Sequence, residues 1–380
     1  MYQYQEFSRY FAQIAHPIEQ LGADELTELG ATDVEADYRG AHFTATPAVL
    51  YDIVFSSRIP TRILAPLMTF DCHSDKYLYK RVRELDWTAL IGPDRTFAVF
   101  ANVSNSAISH SKYAALKVKD AIVDDIRDRV GERPDVDRRD PDIWINLHIQ
   151  NNRAVLSLDA SGGSQHRRGY RVASVEAPLQ ETVAAALVRY TGWKGERPFV
   201  DPMCGSGTIL AEAFMAASGT PSGILQTSFG FEQFPDFDAE LWKQVRAERE
   251  AKVVPLADGL LRGWDIDAQA VAAARANLAR IPGASSAVRV EQSDFRLLPG
   301  FTDTTLLCNP PYGLRIGGTM PVQAFYKAFG DFLKQECSGC TAFIYVGKPE
   351  LLKYVGLRTS FRKEVVNGAL EGRLAKYDLY

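Results

Sequence analysis

Asn309-Pro310-Pro311-Tyr312 has the composition of a rigid loop that can hold a planar group bearing an amine. The tetrad follows the apolar run Thr305–Cys308, which predicts a β-strand ending at the loop. The prolines fix their own φ angles and push the preceding residues toward extended backbone. An Asn oxygen and a backbone carbonyl can then accept two N–H bonds, while the Tyr ring stacks on the planar group. An ordinary proline-rich loop is the alternative interpretation.

A second motif is a glycine-containing turn between a predicted strand, residues 198–201, and a predicted helix, residues 208–217. Its residues are Asp201, Pro202, Met203, Cys204, Gly205, Ser206, Gly207 and Thr208. Glycine lets the backbone approach a ligand, and the N–H groups of a helix N-terminus favour an electron-rich one. No Gly-Lys-Ser/Thr follows, and Leu210 stands where a dinucleotide fingerprint has its third glycine. Both phosphate-binding motifs are therefore excluded.

Acidic residues follow the next two predicted strands. Asp265 ends the strand 261–266, where a carboxylate can take two ribose hydroxyls, and Asp267 is expected to cap the following helix. Asp294 can accept from an adenine amino group, and Phe295 can pack on the adenine face. With the glycine turn, these residues predict a nucleoside pocket that lacks a phosphate clamp and opens toward Asn309.

The composition is that of an ordinary globular protein. The chain has 380 residues, of which 46% are hydrophobic and 24% charged, with a net charge of −4. This composition does not indicate disorder, and the net charge argues against a uniformly basic nucleic-acid binder but not against local basic patches. No apolar run is long enough to span a membrane and the N-terminus lacks a signal pattern, so a cytoplasmic protein is expected. Cys337 and Cys340 have a metal-ligand spacing but no second pair, so we interpret them as structural and expect no metal site.

The N-terminal 70 residues follow the ferredoxin-like order of strand, helix, two strands, helix and strand. A hairpin is predicted around Arg39-Gly40, and the second helix is predicted to begin with Thr46 as its cap and Pro47 in its first position. Pro66 interrupts the strand 63–70, which is therefore expected at a sheet edge.

A long amphipathic helix is predicted over Ser111–Val130, and Asn151-Asn152 predicts a hairpin turn. The polar side of this helix carries Lys112, Lys117 and Lys119, and Tyr113 follows Lys112. Lysines and tyrosines also alternate upstream, in Lys76-Tyr77 and Tyr79-Lys80. Lysines among aromatics suit the phosphates and bases of a nucleic acid, although a solvated helix face is the alternative interpretation.

The segment 161–164 reads as a linker, and it runs into a basic stretch with Arg167, Arg168 and Arg171. Strands and helices then alternate, which predicts a parallel sheet, and Asn367-Gly368 predicts a turn in a C-terminal hairpin. We divide the chain into a ferredoxin-like domain (1–65), a second α+β domain (66–160), a linker (161–178) and an α/β domain (179–380). The role of an insertion at residues 218–259 is not evident from its sequence.

The strings DPMCGSGT, GWDID, QSDF and NPPYG, in this order, resemble the S-adenosylmethionine-dependent methyltransferases that modify exocyclic amines. SQHRRGYR, APLQET and the closing NGALEGRLAKYDLY resemble, more closely, the THUMP-containing rRNA guanine-N2 methyltransferases. So do SKYAALKVKDAIVDDIRDR and PDVDRRDPDIWINLHI in the first half. The resemblance covers nearly the whole chain and corresponds to the first half of the bifunctional members of the family. A single activity is therefore expected.

This resemblance implies a Rossmann-like class I methyltransferase domain with a C-terminal β-hairpin, preceded by an α+β ferredoxin-like and THUMP region. It implies S-adenosylmethionine as cofactor and large-subunit rRNA or its precursor particle as partner. A monomer is expected, but the sequence does not determine the oligomeric state. The implied cofactor contacts are Asp201, Pro202, Met203, Cys204, Gly205, Ser206, Gly207, Thr208, Asp265, Ile266, Asp267, Asp294 and Phe295. The implied target-base contacts are Asn309, Pro310, Pro311 and Tyr312, and the expected RNA contacts are Lys112, Lys117, Lys119, Arg167, Arg168 and Arg171.

Three other functions remain compatible with these motifs. A tRNA guanine-N2 methyltransferase also carries a THUMP domain. Enzymes that methylate adenine N6 in DNA or glutamine N5 in a release factor share the second half of the chain but not the first 160 residues. An RNA-binding assembly factor with an inactive methyltransferase fold belongs to a different class, and the intact loops argue against it.

Overall fold

The computed structural model contains two compact units, each with its own sheet. It describes residues 1–92, 94–173, 179–313, 315–316 and 320–380. The first unit comprises Met1–Ile14, Gly22–Gln165 and Gln226–Ala247, and the second comprises Ala15–Leu21, His166–Leu225 and Glu248–Tyr380. The change of unit after Gln165 falls inside the predicted linker, whose residues 174–178 lie outside the described part. We call Gln226–Ala247 the strap.

The N-terminal elements combine helices with one continuous sheet. They are α1 Gln3–Phe7, β1 Arg9–Gln13, α2 Glu19–Glu28, β2 Thr32–Asp37, β3 Gly40–Thr44, α3 Pro47–Ser56, β4 Arg62–Asp71, α4 Asp75–Val82, α5 Trp87–Leu90, β5 Phe97–Ser104, α6 Ser111–Val130, β6 Ile143–Gln150 and β7 Arg153–Asp159. Within the described residues the sheet has seven strands in the order β2-β3-β1-β4-β7-β6-β5. The predicted domain limit at residues 65/66 therefore falls inside β4.

Local sequence signals account for several of these elements. Thr46 caps α3 by accepting a hydrogen bond from the Val49 N–H group, and Pro47 is its first residue, as predicted. Asn151 and Asn152 have φ angles of 52° and 60°, which suits the tight turn between β6 and β7. The prediction that Pro66 marks an edge strand is wrong, because β4 pairs with both β1 and β7. A register shift between Pro66 and Met68 accommodates a residue that has no N–H to donate.

The C-terminal elements alternate as predicted. They are α7 Glu181–Thr191, β8 Phe199–Asp201, α8 Thr208–Ser218, α9 Ala239–Glu250, β9 Leu261–Asp265, α10 Ala268–Leu278, α11 Ala284–Ala287, β10 Val288–Gln292, β11 Thr305–Cys308, β12 Arg315–Ile316, β13 Met320–Pro321, α12 Val322–Glu336, β14 Thr341–Val346, β15 Phe361–Asn367 and β16 Leu370–Asp378. Short 3₁₀ segments occupy Gly230–Gln233, Phe295–Leu297 and Pro349–Tyr354.

The second sheet has the order β10-β9-β8-β11-β14-β16-β15 within the described residues. Its first five strands are parallel, and β16 is antiparallel to both β14 and β15, with Asn367 and Gly368 at the β15–β16 turn. The predicted parallel sheet with a C-terminal hairpin is confirmed. The strand order reverses at β8, so the carboxyl ends of β8, β9 and β11 lie together at a position where such sheets bind ligands. Among the described residues, no helix combines the length and apolar character needed to cross a bilayer.

The strap contributes aromatic side chains to the core of the first unit. Trp242 has its ring centroid 5.3 Å from Phe55, 5.4 Å from Phe229 and 5.1 Å from Phe231, each close to edge-on. Phe231 also stacks on Tyr51 at 4.5 Å. Most of the insertion that the sequence left unexplained therefore completes the core formed by α3, although it lies in the C-terminal half of the chain.

We expect Trp242→Ala to lower the free energy of unfolding of the first unit by about 3–5 kcal/mol, because it leaves a cavity among aromatic rings. Urea unfolding of the full chain measures this effect. Lys243→Ala, at the exposed neighbouring position, is the control and should change the free energy by no more than about 0.5 kcal/mol. Equal stability of the two variants would mean that the strap is not part of this core.

Candidate active site

The glycine turn after β8 has a backbone that only glycine adopts readily. Gly205 has φ 53° and Gly207 has φ 81°, both in the left-handed region. A Cβ atom on Gly207 would also lie 3.1 Å from the Cβ of Ala274 on α10. The turn therefore brings its backbone N–H groups and the first turn of α8 to the carboxyl edge of the sheet, where a ligand can approach them.

Asp265 ties this turn to the end of β9. Its Oδ2 accepts a hydrogen bond from the Gly205 N–H group at 2.9 Å, and its Oδ1 accepts one from the Asp267 N–H group at 3.0 Å. Each carboxylate oxygen has further lone pairs that can accept from ligand hydroxyls. Asp267 caps α10 by accepting from the Gln269 N–H group at 2.8 Å, as predicted.

Asp201 supports the turn from inside the protein. Its side chain is buried, and its Oδ1 accepts a hydrogen bond from the Met203 N–H group at 3.1 Å. Burial raises the pKa of this carboxyl well above its usual range, and the negative charge of Asp265 raises it further. Asp201 thus shapes the turn, whereas Asp265 is partly exposed at the carboxyl edge of the sheet.

The apolar side chain next to Asp265 is unusually accessible. Ile266 is 64% exposed, whereas Phe295 is only 5% exposed. The Phe295 ring lies edge-on to the α12 rings of Phe325, Phe329 and Phe332, with centroids 5.2–5.7 Å away. The prediction that Phe295 packs on an adenine face is therefore not supported, because its ring is part of the core. Ile266 offers the larger apolar surface.

Asp294 carries its charge beside an arginine. Its Oδ1 accepts hydrogen bonds from the Arg296 backbone N–H group at 3.0 Å and from the guanidinium Nε at 2.9 Å. The hydrogen bond from the Arg296 side chain lowers the pKa of this carboxyl. Asp294 is thus an ionised acceptor at the end of β10, and Arg296 orients it.

The Asn309 tetrad follows β11 at the same edge. Asn309 Oδ1 is buried and has no hydrogen-bond partner among the residues that the structure describes. Leaving an acceptor in this state costs about 1–3 kcal/mol, which an incoming N–H donor would recover. Pro310 is buried and Pro311 is exposed. The arrangement fits a loop that holds an acceptor ready for a donor group.

Tyr312 lies against the end of β14. A Cβ atom on Gly347 would be 3.2 Å from Tyr312 Cζ, 3.3 Å from Cε1 and 3.5 Å from Cε2. The backbone of Gly347 therefore supports one side of the ring. The glycine at this position permits a contact that any larger residue would disturb.

Arg171 holds the glycine turn from the other side, a role that the sequence did not reveal. Its Nη1 donates to Ser206 Oγ at 3.2 Å and its Nη2 to Thr208 Oγ1 at 3.0 Å. Its Nε donates to Glu181 Oε1 at 2.9 Å. The expectation that Arg171 contacts RNA is not supported, because its guanidinium is engaged in positioning the cofactor turn. Nothing in the spacing of Glu181 or Thr208 indicated this network.

Arg168 is also internal. Its side chain is 1% exposed and pairs with the fully buried Glu212 of α8, with Nε 3.3 Å from Oε1. Tyr170 donates its hydroxyl to the same oxygen at 3.2 Å. The expectation that Arg168 binds RNA is wrong, since no phosphate can reach a buried guanidinium. Only Arg167, of the three arginines in this stretch, is exposed.

We expect Arg168→Ala to lower the free energy of unfolding of the second unit by about 3–5 kcal/mol, because it leaves the Glu212 charge buried without its arginine. Arg167→Ala is the matched control, and its effect should stay within about 0.5 kcal/mol. Urea unfolding of the full chain distinguishes the two variants. A loss below about 1 kcal/mol for Arg168→Ala would contradict the buried ion pair.

Family models match three segments of the chain. Residues 168–376 match UPF0020, the RMKL-like methyltransferase domain. Residues 72–159 match the THUMP domain, and residues 9–64 match the RlmL ferredoxin-like domain. The predicted fold class is thereby confirmed for both halves of the chain. Among the described residues, no group of three His, Cys, Asp or Glu side chains could hold a metal ion.

Curated relatives match over nearly all of the chain. A putative RNA methyltransferase from Synechocystis sp. is 41% identical over 373 residues, which cover 98% of this chain and 97% of the relative. The ribosomal RNA large subunit methyltransferase K/L of Syntrophotalea carbinolica is 38% identical over 98% of this chain but only 53% of its own length. The chain thus spans about half the length of the K/L relatives.

Solved structures share the fold. The crystal structure of a putative methyltransferase complexed with SAH is 26% identical, covers 98% of both chains and has a TM-score of 0.84. A possible methylase from Clostridium difficile 630 covers the same shares with a TM-score of 0.85 and 24% identity. The predicted cofactor is confirmed: the chain belongs to the UPF0020 family of RMKL-like methyltransferase domains and uses S-adenosylmethionine.

Proposed function

We propose that this protein methylates the exocyclic N2 amine of a guanine in large-subunit rRNA. The single observation that carries the amine-directed part is the buried Oδ1 of Asn309, which has no hydrogen-bond partner among the described residues and comes three residues before the supported ring of Tyr312. The names of the K/L relatives support large-subunit rRNA as substrate, and the motifs shared with guanine-N2 methyltransferases support the target atom. Such a substrate implies action in the cytoplasm, where ribosomes are assembled.

The residues at the carboxyl edge of the second sheet fit the proposed cofactor contacts. Asp265 can accept from ribose hydroxyls with the lone pairs that Gly205 and Asp267 leave free, and Ile266 can cover the apolar adenine ring. The left-handed glycines leave room for the remainder of the cofactor along the turn. When bound, S-adenosylmethionine supplies an electrophilic methyl group on a sulfonium.

Asn309 would activate the guanine amine by orientation rather than by removing a proton. The lone pair of this nitrogen is conjugated with the ring, so the amine is a weak nucleophile. Accepting its two N–H bonds at Asn309 Oδ1 and the Pro310 carbonyl favours a tetrahedral nitrogen whose lone pair points away from both acceptors. Correct placement supplies most of the rate acceleration in this scheme.

Tyr312 would hold the base while the amine reacts. A guanine inside a helix cannot reach the loop, so the base must leave its stack and find another surface. The Tyr312 ring can provide that surface on the side away from Gly347. Methyl transfer needs no metal in this scheme, because the amine nitrogen gains the positive charge and then releases a proton to solvent.

The first unit would supply RNA affinity. Residues 72–159 match the THUMP domain, and Lys112, on α6, is exposed. Lys117 lies over the ring of Tyr79 at 5.8 Å, and Lys119 pairs with Asp120, so these two lysines are partly engaged within the protein. Arg167 is exposed in the second unit and remains a candidate phosphate contact.

The proposal is tested by incubating the purified protein with large-subunit rRNA and labelled S-adenosylmethionine, then digesting the RNA to nucleosides. Label in N2-methylguanosine is expected. Transfer of label only to N6-methyladenosine or to a protein glutamine would assign the loop to a different amine. If label is transferred to tRNA but not to rRNA, the substrate is tRNA and the proposed rRNA substrate is wrong. Cofactor binding without transfer would favour a non-catalytic assembly factor.

We expect Asn309→Ala to lower kcat at least about a hundredfold, because an acceptor that acts in the transition state is lost. Its affinity for S-adenosylmethionine, measured by calorimetry, should stay near that of the unaltered protein. Asn309→Asp is the conservative control and should retain much of the activity, since a carboxylate oxygen can accept the same N–H bond as Asn309 Oδ1. Asp265→Ala should show the reverse pattern, with weaker cofactor binding. Equal losses of cofactor affinity in both variants would contradict this division of roles.

We expect Gly347→Ala to lower kcat/KM for RNA about tenfold while leaving cofactor affinity unchanged. The added methyl group would displace the Tyr312 ring by a few tenths of an ångström, and small misplacements of a reacting group are costly. The backbone of Gly347 is outside the left-handed region, so alanine is otherwise compatible.

A double-mutant cycle with Tyr312→Ala tests whether Gly347→Ala lowers kcat/KM by displacing the Tyr312 ring. If the Gly347 substitution acts through the ring, it should cost little once the ring has been removed. Additive losses in kcat/KM would show that Gly347 acts independently of Tyr312.

A further inference from the structure

Two helices of the first unit begin at the same place. Tyr113, in the first turn of α6, donates its hydroxyl to Asp75 Oδ2, in the first turn of α4, at 2.7 Å. Tyr77 lies two residues beyond Asp75, and Ser74 caps its N–H group. Both tyrosines therefore belong to one end of the helix pair.

The tyrosines at this end are exposed, although burial would be favourable for such rings. Tyr77 is 40% exposed and Tyr113 is 46% exposed, and the neighbouring Leu116 is 44% exposed. The His73 ring lies 6.5 Å from the Tyr77 ring, tilted by 36°. This end of the helix pair thus offers flat apolar faces to a binding partner.

The same end carries lysines that make no ion pair. Lys76 and Lys112 lie in the first turns of α4 and α6, and Lys80 lies one turn further along α4; all three are exposed, and none has an acidic partner within 4.0 Å in the part of the chain that the structure describes. Asp75 also lies at this end, where its carboxylate accepts the hydrogen bond from the Tyr113 hydroxyl.

The opposite end of the helix pair is different. Its arginines are all matched by carboxylates within the described residues: Arg83 pairs with Asp128, Arg127 with Asp124, and Arg129 with Asp125 and Asp86. Exposed lysines without a carboxylate partner thus begin at the end that exposes the two tyrosines and extend one turn along α4 to Lys80. Charge and stacking surface coincide there, which is the combination that binds a single-stranded polyanion of planar bases.

We infer that Lys76, Tyr77, Lys80, Lys112 and Tyr113, the Tyr77–Tyr113 surface, bind an unpaired stretch of RNA. Bases stack on the tyrosine rings, and the lysines lie against the backbone phosphates. This inference rests on the proposed RNA substrate and deepens it by naming the form of RNA. A duplex keeps its bases stacked inside the helix, so it can use the lysines but not the tyrosine faces. The surface carries few groups that read base edges, so it is expected to tolerate different sequences.

Binding of the full-length protein to two labelled probes tests the inference, one a uridine oligonucleotide of about 20 residues and the other a duplex RNA of similar length. We expect Tyr77→Ala with Tyr113→Ala to weaken single-strand binding about tenfold or more and to change duplex binding less than about twofold. Tyr77→Phe with Tyr113→Phe keeps both rings and should retain single-strand affinity. Tyr38→Ala, which alters a 63% exposed tyrosine elsewhere in the unit, is the matched control and should have no effect.

The contribution of the lysines is measured separately, by the salt dependence of RNA affinity. Replacing Lys76, Lys80 and Lys112 by alanine should weaken binding of both probes and reduce the slope of log affinity against log salt by about two for the single strand. Lys243→Ala, on α9 of the same unit, should leave that slope unchanged. An unchanged slope in the triple variant, or equal loss of duplex and single-strand binding in the double alanine variant, would overturn the inference.

Methylation of rRNA by the unaltered protein separates this inference from the proposed function. If the protein methylates rRNA and the double alanine variant still binds the single strand normally, the inference about the surface fails alone. If the unaltered protein transfers no methyl group to RNA, the proposed function fails regardless of which probe binds.

Discussion

The cofactor side of the site depends on the hydrogen bond between the Gly205 N–H group and the Asp265 carboxylate. The bond can form because β8 and β9 are adjacent and in register, with Asp201 opposite Gly263. Gly263 favours this approach, since a Cβ atom there would lie 2.4 Å from Leu210 Cδ1 and 3.1 Å from Cys204 Cβ, and these side chains would have to shift. Once the turn is tied to β9 on one side and to Arg171 on the other, its shape is set before any ligand arrives. Such preorganisation reduces the entropy that binding must offset.

The polar groups on the two sides of the site differ in how fully they are hydrogen-bonded. The carboxylates on the cofactor side already accept protein hydrogen bonds, so that side is stable as it stands. Asn309 Oδ1, on the acceptor side, is buried without a donor among the described residues. An amine that donates a hydrogen bond to this atom recovers the free energy that burying an unpaired acceptor costs. The unpaired Asn309 Oδ1 therefore lowers the stability of the loop while it provides an acceptor for the amine.

The sequence predicted backbone features more successfully than side-chain partners. The glycine turn, the caps at Thr46 and Asp267 and the hairpin turns follow from local rules, and the structure has each of them. Pro66 was misjudged because a register shift, which depends on the neighbouring strands, allows a proline in a central strand. The site residues were found from order along the chain, since the ends of parallel strands meet at one edge.

The errors concern long-range contacts between charged or aromatic groups. Arg168 and Arg171 read as a basic patch, yet their partners Glu212 and Glu181 lie on helices that begin later in the chain. Phe295 follows an acid, as an adenine-stacking residue would, but the rings of α12 enclose it. No local sequence pattern distinguishes an arginine that forms an ion pair inside the protein from an exposed arginine that binds a phosphate.

The strap has a consequence for biosynthesis. A chain leaves the ribosome from its N-terminus, and domains generally fold as units during that process. The aromatic core around Tyr51 and Phe55 includes Phe231 and Trp242, so it cannot close when residue 165 has emerged. About a third of the residues of the second unit, including all of His166–Leu225, are therefore synthesised before Trp242 can pack against the rings of α3. Completion of the N-terminal core is therefore coupled in time to synthesis of the glycine turn.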